Sequence, residues 1–453
     1  MIERRSLLAL VLIACVQPAA AEPMVTRQTT PSGLVFRHAH MPNDSQQAIG
    51  FAWKDGTAIG LPGKEALAVL APALMMEGPS GSTRSAMLED LRDLQAAMGL
   101  SAGSSFAQGS LSAPRAKFAA AAQILARVLA DPALPEDKLR QAQRSLALSS
   151  QQAEQNAETL GLRLFQRLVL GSGPHWRLSG ADPTIYERIS KADIEAWRRD
   201  VLVREGLMLV AAGPMEAAEI ASVLDRVFAR LPLTGRLPAA SRPVLQATGK
   251  LVVLEKAVVQ TVIVAGAPTT LSVTPDLVRA ELAVEVLGRG SAASRLGRAV
   301  RGRLGATYGI SAVLQASAAG TRTLLIRTPV ANDKAKPALD AIREEYAMFA
   351  AEGVTEEEIE PLKTAAITRH QERLRRAPAV ASVLVGMALN SFPDDYLATH
   401  EARIRSIGRA AVNEDIRNSL PKPPLTTVIV APSADGLGAD CVIKAVAEIA
   451  RCE

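Results

Sequence analysis

Gln47-Ala48-Ile49-Gly50-Phe51-Ala52-Trp53 and Gln260-Thr261-Val262-Ile263-Val264-Ala265-Gly266 read as one element written twice. Each is a short apolar run with the β-branched and aromatic content of a strand. Each follows another strand, 33–38 in the first case and 251–254 in the second, and each precedes a helix, 64–76 and 275–287. The echo continues with a helix over 88–98 running into a strand at 100–104, and a helix over 296–301 running into a strand at 308–312. Long helices open at Leu134-Pro135-Glu136 and at Val354-Thr355-Glu356, where Thr355 and Glu358 have the spacing of a capping box. Ile189-Ser190-Lys191 answers Ile407-Gly408-Arg409, and closing strands follow at 207–213 and 426–431.

Corresponding landmarks lie about 210–220 residues apart. A period that long means two homologous units rather than a solenoid. The expected fold is α+β: two homologous domains, each a mostly antiparallel sheet with helices packed on one face. The first would span 24–232 and the second 248–453. They would be joined by a linker over 233–247 that is rich in Pro and small residues.

The N-terminus reads as an export signal over 1–21: Glu3-Arg4-Arg5, an apolar run over 7–16, and Ala19-Ala20-Ala21 before Glu22. Leu12-Ile13-Ala14-Cys15 also fits a lipobox with Cys15 as the lipidated residue. Either form of processing places the mature chain outside the cytoplasm, in the periplasm. No later apolar run is long enough to span a bilayer. Cys441 and Cys452 remain. As the ends of one helix they would be about 16 Å apart and unable to bond, so a disulfide requires the segment to bend back. The net charge of +5 is spread along the chain without a basic block interleaved with aromatics, which argues against nucleic-acid binding.

The histidines form no metal motif. His38 and His40 share one strand face, with surface or edge placement expected. His400-Glu401 begins a His-Glu-x-x-His pattern that fails at Ile404, His370 lies on a charged helix facing solvent, and His175 sits in a loop. Gly99-Leu100-Ser101-Ala102-Gly103 matches a nucleophile elbow in letters, but there a helix feeds a strand, the reverse of what that device needs. Gly99 reads instead as a helix C-cap. Gly288-Arg289-Gly290-Ser291-Ala292-Ala293 follows a helix rather than a strand and reads as an interhelical loop, not a dinucleotide fingerprint.

Two repeated halves, an export signal and the stretch Ser294-Arg295-Leu296 … Arg301 … Leu304-Gly305-Ala306-Thr307-Tyr308 together resemble the insulinase/pitrilysin-like (M16-type) metallopeptidase superfamily. The resemblance implies a division of work. The first half of a catalytic subunit holds zinc through His-x-x-Glu-His and a downstream Glu. The second half supplies an Arg and a Tyr to the substrate carbonyl and backbone. In this sequence the motif positions read Val69, Pro72 and Ala73, and the downstream segment 146–152 offers no Glu.

Arg301 and Tyr308, seven residues apart, match the second signature. On the residues alone, an Arg at a helix end suits the dipole and a Tyr can open a strand. The resemblance gives both a substrate-facing role, while Arg295 and Arg298 are expected to serve solubility or subunit contacts. The implied function is a zinc-free subunit of a two-chain periplasmic peptidase. Arg301 and Tyr308 would act in trans on a peptide or unfolded polypeptide held with a His-x-x-Glu-His partner, which carries the zinc. The alternative is a non-catalytic polypeptide-binding or scaffold protein of the same fold.

Overall fold

The computed structural model describes residues 23–54, 61–103, 105–177, 182–236, 244–289, 293–316 and 320–453. The expected export signal with Cys15, and part of the expected linker, lie outside the described residues. The first half begins with β1 (Val25–Thr29), β2 (Val35–His40), β3 (Gln46–Lys54), α1 (Leu67–Met75) and α2 (Arg84–Asp93). It continues through β4 (Ala97–Ala102), β5 (Phe106–Pro114), α3 (Arg115–Ala130), α4 (Glu136–Ala153) and α5 (Ala157–Leu170). Short α6 (Pro174–Trp176) and α7 (Thr184–Glu187) lead to α8 (Lys191–Val201), β6 (Leu207–Gly213) and α9 (Ala217–Phe228).

The second half starts with β7 (Leu251–Glu255), β8 (Thr261–Pro268), α10 (Leu277–Gly288) and a π-helical turn, Gly297–Arg303. Next come β9 (Ser311–Ala316), β10 (Arg322–Val330), α11 (Ala335–Glu352), α12 (Glu356–Arg373) and α13 (Ala377–Leu389). It ends with α14 (Tyr396–Ser406), α15 (Arg409–Asn418), β11 (Thr426–Ala431), β12 (Cys441–Ile443) and a 3-10 turn, Val446–Cys452.

Two six-stranded sheets result, ordered β1-β2-β6-β3-β5-β4 and β12-β7-β11-β8-β10-β9. Five strands correspond one for one. The sixth position is filled from opposite ends of the repeat: β1 enters antiparallel to β2, whereas β12 enters parallel to β7. The β2–β6 and β7–β11 pairs are also parallel and the other pairings are antiparallel, so the sheets are mixed but mostly antiparallel.

Helix starts follow local chemistry. Ser190 and Asp193 close a capping box at α8, with the Asp193 N–H donating to Ser190 Oγ at 3.2 Å and the Ser190 N–H to the Asp193 carboxylate at 2.8 Å. At α12 the Thr355 N–H donates to Glu358 at 3.0 Å.

Helices cover both faces of each sheet rather than one. In β3, Ile49, Phe51 and Trp53 turn toward helices of the first half, while Ala48 and Ala52 turn to the reverse face and meet Val380, Ala381 and Leu384 of α13. In the second sheet Ile263 and Ala265 face α10 and α11, while Val262, Val264, Val428 and Val430 pack on Leu160, Leu164 and Phe165 of α5. Each half therefore lends one helix to the other's sheet. The cause is visible in β3 and β8, which are apolar on both faces and leave the second face needing cover from water.

Two boundaries also depart from expectation. Helix α2 starts at Arg84, capped by Thr83 Oγ1 accepting the Ala86 N–H at 3.2 Å, and ends at Asp93. The chain turns at Gln95 with φ 52, and pairing with β5 draws residues 97–102 into β4. Gly99 is thus a strand residue, not a helix cap. Strand β9 begins at Ser311, leaving Tyr308 in the loop before it. The C-terminal segment does bend back after β12, and Cys441 and Cys452 form a disulfide with Cα atoms 5.7 Å apart.

Candidate functional site

Helix α1 carries the three positions where the resemblance places a metal motif. Pro72 is buried and lines a small cavity with Trp53 and Trp197, Val69 is half-buried, and Ala73 is exposed at the rim of a cleft of about 330 Å³. That cleft also takes in Glu77, Arg84 and Lys138, with Arg84 and Glu77 paired at 3.0 Å. Pro72 inside α1 has no N–H to give the helix ladder. Aliphatic and pyrrolidine side chains have no lone pair for a metal. Among the described residues no group of three or more His, Cys, Asp or Glu is placed to hold one. The residues present do not fit zinc.

Arg301 lies on the π-helical turn whose buried residues Ala299 and Val300 fix it to the second core. The turn bears three arginines. Arg303 pairs with Glu345 at 2.6 Å and Arg298 lies 3.8 Å from Glu358. Arg301 is exposed and has neither an ion pair nor a side-chain hydrogen bond among the described residues.

The following loop is held in place at several points. The Ala306 N–H donates to Val300 O at 3.0 Å, the Ala331 N–H to Ala306 O at 3.0 Å, and Lys334 Nζ to Leu304 O at 2.8 Å. The Thr307 hydroxyl accepts the Gly309 N–H at 3.1 Å and sits 3.1 Å from the fully buried Thr328 hydroxyl. Gly305 takes φ +55, in the left-handed region a glycine adopts without strain. From this pinned backbone Tyr308 projects with 91% of its surface exposed and no hydrogen bond among the described residues. The structure thus brings Arg301 and Tyr308 together on one exposed segment. It does not bring either into the cavities lined by Pro72 or Ala73.

The neighbouring signature residue has another job. Arg295 was expected at the surface or in subunit contacts. Instead it forms a two-pronged pair with Glu358, at 2.8 and 2.7 Å, and donates to Gly353 O at 2.9 Å. One carboxylate therefore caps α12 and anchors the segment leading to Arg301. Burial works against the ionised Glu358, but bonding from Arg295 and Thr355 outweighs it and keeps the carboxyl below the usual range. The capping-box spacing was the readable half of this arrangement.

Histidine placements change too. His38 lies on β2, an interior strand, and is buried rather than at a surface or edge; His40 on the same face is exposed. His370 is buried rather than solvated, with its ring 4.5 Å from that of His400. His175 is buried in the short α6.

The sequence family described as the peptidase M16 inactive domain matches residues 188–366. That span contains Arg301 and Tyr308 and excludes Val69, Pro72 and Ala73. No curated protein matches the chain. Among solved structures, the peptidase M16 inactive domain from Pseudomonas fluorescens is similar with a TM-score of 0.82 and 18% identity, over 90% of this chain and 98% of that one. A protease from Helicobacter pylori is similar at 0.79 and 12% identity, over 91% and 100%. The periplasmic protease PqqL from Escherichia coli is similar at 0.76 and 13% identity; the match takes in 95% of this chain and 49% of PqqL. Identities this low speak for the fold alone, and the family match speaks for the segment it covers. On these two grounds the chain shares the fold of these structures, and its residues 188–366 match the peptidase M16 inactive domain.

Proposed function

We propose that this chain is the zinc-free subunit of a two-chain M16-type peptidase. Arg301 and Tyr308 would contact the substrate carbonyl and backbone in trans, opposite a His-x-x-Glu-His partner that carries the zinc. The observation that carries this reading is the state of Arg301: its two neighbouring arginines are engaged by acids, while neither it nor Tyr308, seven residues on along the same pinned segment, has a side-chain partner among the described residues. Exposed side chains held from a fixed backbone suit a task performed on another molecule. A guanidinium and a phenol can stabilise the oxyanion of a tetrahedral intermediate, one such donor being commonly worth about 10²–10³ in rate. The export signal agrees with a periplasmic setting, as does the likeness to PqqL, described as periplasmic.

The test is peptide hydrolysis by a motif-bearing homologue from the same cell, assayed alone, with this chain, and with its Arg301→Ala and Tyr308→Phe variants. Neither side chain has a partner to lose among the described residues, so both variants should fold with stability changed by no more than about 0.5 kcal/mol. The expected result is stimulation by the wild-type chain, lowered by about 10²-fold in each variant. Equal stimulation by the variants would leave the non-catalytic, polypeptide-binding alternative standing and remove the catalytic one.

A further inference from the structure

A group of charged and titratable side chains outside that site lies in a cavity of about 390 Å³ between α10, α12, α13, α14 and the edge strand β9. Its position is informative. Helix α1 packs on both α4 and β4, and α10 packs in the same way on both α12 and β9. The cavity is therefore the second half's counterpart of the place where α1 carries Val69, Pro72 and Ala73. There the first half has Glu77, Arg84 and Lys138 beside Ala73, whereas the second half gathers Glu281, Glu285, Arg289, Arg369 and Arg373 in one lining.

Glu285 of α10 is buried. Arg369 of α12 donates to it at 2.9 Å, and Arg289 pairs with the same carboxylate. Arg373, one turn beyond Arg369, lines the same cavity and has no acid partner among the described residues. Glu281 is the other acid in the lining. Three guanidiniums against two carboxylates leave one positive charge in excess. Desolvation first, then repulsion from Arg369 and Arg373, disfavours the charged form of Arg289. His370 and His400 are neutral at pH 7, because burial lowers both. The remaining wall is apolar, with Val278, Leu282, Leu314 and Val383 beside Tyr396 and Ile404.

We propose that this cavity binds a small organic monocarboxylate, its carboxylate on Arg373 and its apolar body along the Leu282–Leu314–Val383 wall. A planar guanidinium matches a carboxylate in a two-bond fork. One excess cation balances one negative charge, and the Glu281 and Glu285 carboxylates in the same lining would repel a dianion such as phosphate. The ligand carboxylate can belong to a free fatty acid or to the C-terminus of a peptide. The proposal rests on this cavity alone and stands or falls independently of the trans-acting role of Arg301 and Tyr308.

Calorimetric titration of the mature protein with hexanoate and with hexanamide tests it. Parallel titrations use an acetylated tripeptide of apolar residues with a free or an amidated C-terminus. Binding by hexanoate or by the free-carboxyl tripeptide, with their uncharged amides inert, supports the site and says which source it takes. Arg373→Gln should then weaken binding about tenfold or more. Glu281→Gln, which removes a competing negative charge at the surface, should strengthen it. The proposal is overturned if neither carboxylate binds, if acid and amide bind alike, if inorganic phosphate binds more tightly than the carboxylates, or if both variants bind as wild type does.

Discussion

His400 shows how strongly burial can act on one side chain here. It sits on α14 with its ring 4.8 Å from Tyr396 and 4.5 Å from His370. Desolvation, then His370 and Arg403, bring its pKa down to about 4. Tyr396 and Arg403 of α14, His370 and Arg373 of α12, and Glu281 of α10 surround it. The folded value lies below the unfolded one near 6.5, so the unfolded chain binds more protons between those limits. The stabilisation is complete above about pH 6.5 and is lost as pH falls toward 4. Melting followed by circular dichroism should show a lower Tm at pH 4 than at pH 7, with a smaller drop in His400→Gln. An unchanged drop would mean that His400 titrates normally. The sequence did not reveal this environment. Helix α12 carries charge on all sides, so nothing local says that His370 faces inward, and only the arrival of α14 decides it. Arg301 and Tyr308 were visible because a short motif marks them, but that Arg301 has no acid partner among the described residues depends on where Glu345 and Glu358 fall.

At the scale of elements, the packing of α13 on the reverse face of the first sheet is the arrangement most open to test. Gly50 faces α13, and a Cβ placed there would lie 2.5 Å from Val385 Cγ2 and 3.1 Å from Val210 Cγ2. The small side chains of Ala48, Gly50 and Ala52 let the helix approach the sheet closely. Gly50→Leu should cost about 1–3 kcal/mol by overpacking, read as a lower urea midpoint. Adding Val385→Ala should recover part of that loss, and strict additivity of the two changes would argue against the contact. Strands β3 and β8, the capped start of α12, and the closing strands β6 and β11 were all legible, since alternation and capping act within a few residues. The boundary of α2 and the strand character of Gly99 were not, because pairing of β4 with β5 overrode the local pattern.

For the whole molecule, the exchange of α5 and α13 makes each half part of the other's core. The three tryptophans, Trp53, Trp176 and Trp197, all lie in the first half of the sequence; Trp176 sits against α5, so in a Trp176→Phe background the fluorescence of Trp53 and Trp197 reports on the first-half core. Ile429→Ala, in the core of the second half, should cost about 2–5 kcal/mol. The Trp-monitored melting temperature should fall together with that from circular dichroism. A Trp transition left at its wild-type temperature would show that the halves unfold separately. By itself the sequence determined the duplication, the α+β class, the absence of metal donors at Val69, Pro72 and Ala73, and the Arg301 and Tyr308 candidates. All of these are carried by side-chain identity and by spacing along the chain. Only the tertiary structure decided that each half covers the other's sheet, that Cys441 reaches Cys452, that Arg295 is an internal strut and that His370 meets His400. Those outcomes depend on which distant residues meet when both faces of an apolar sheet must be covered, and spacing along the chain does not encode that.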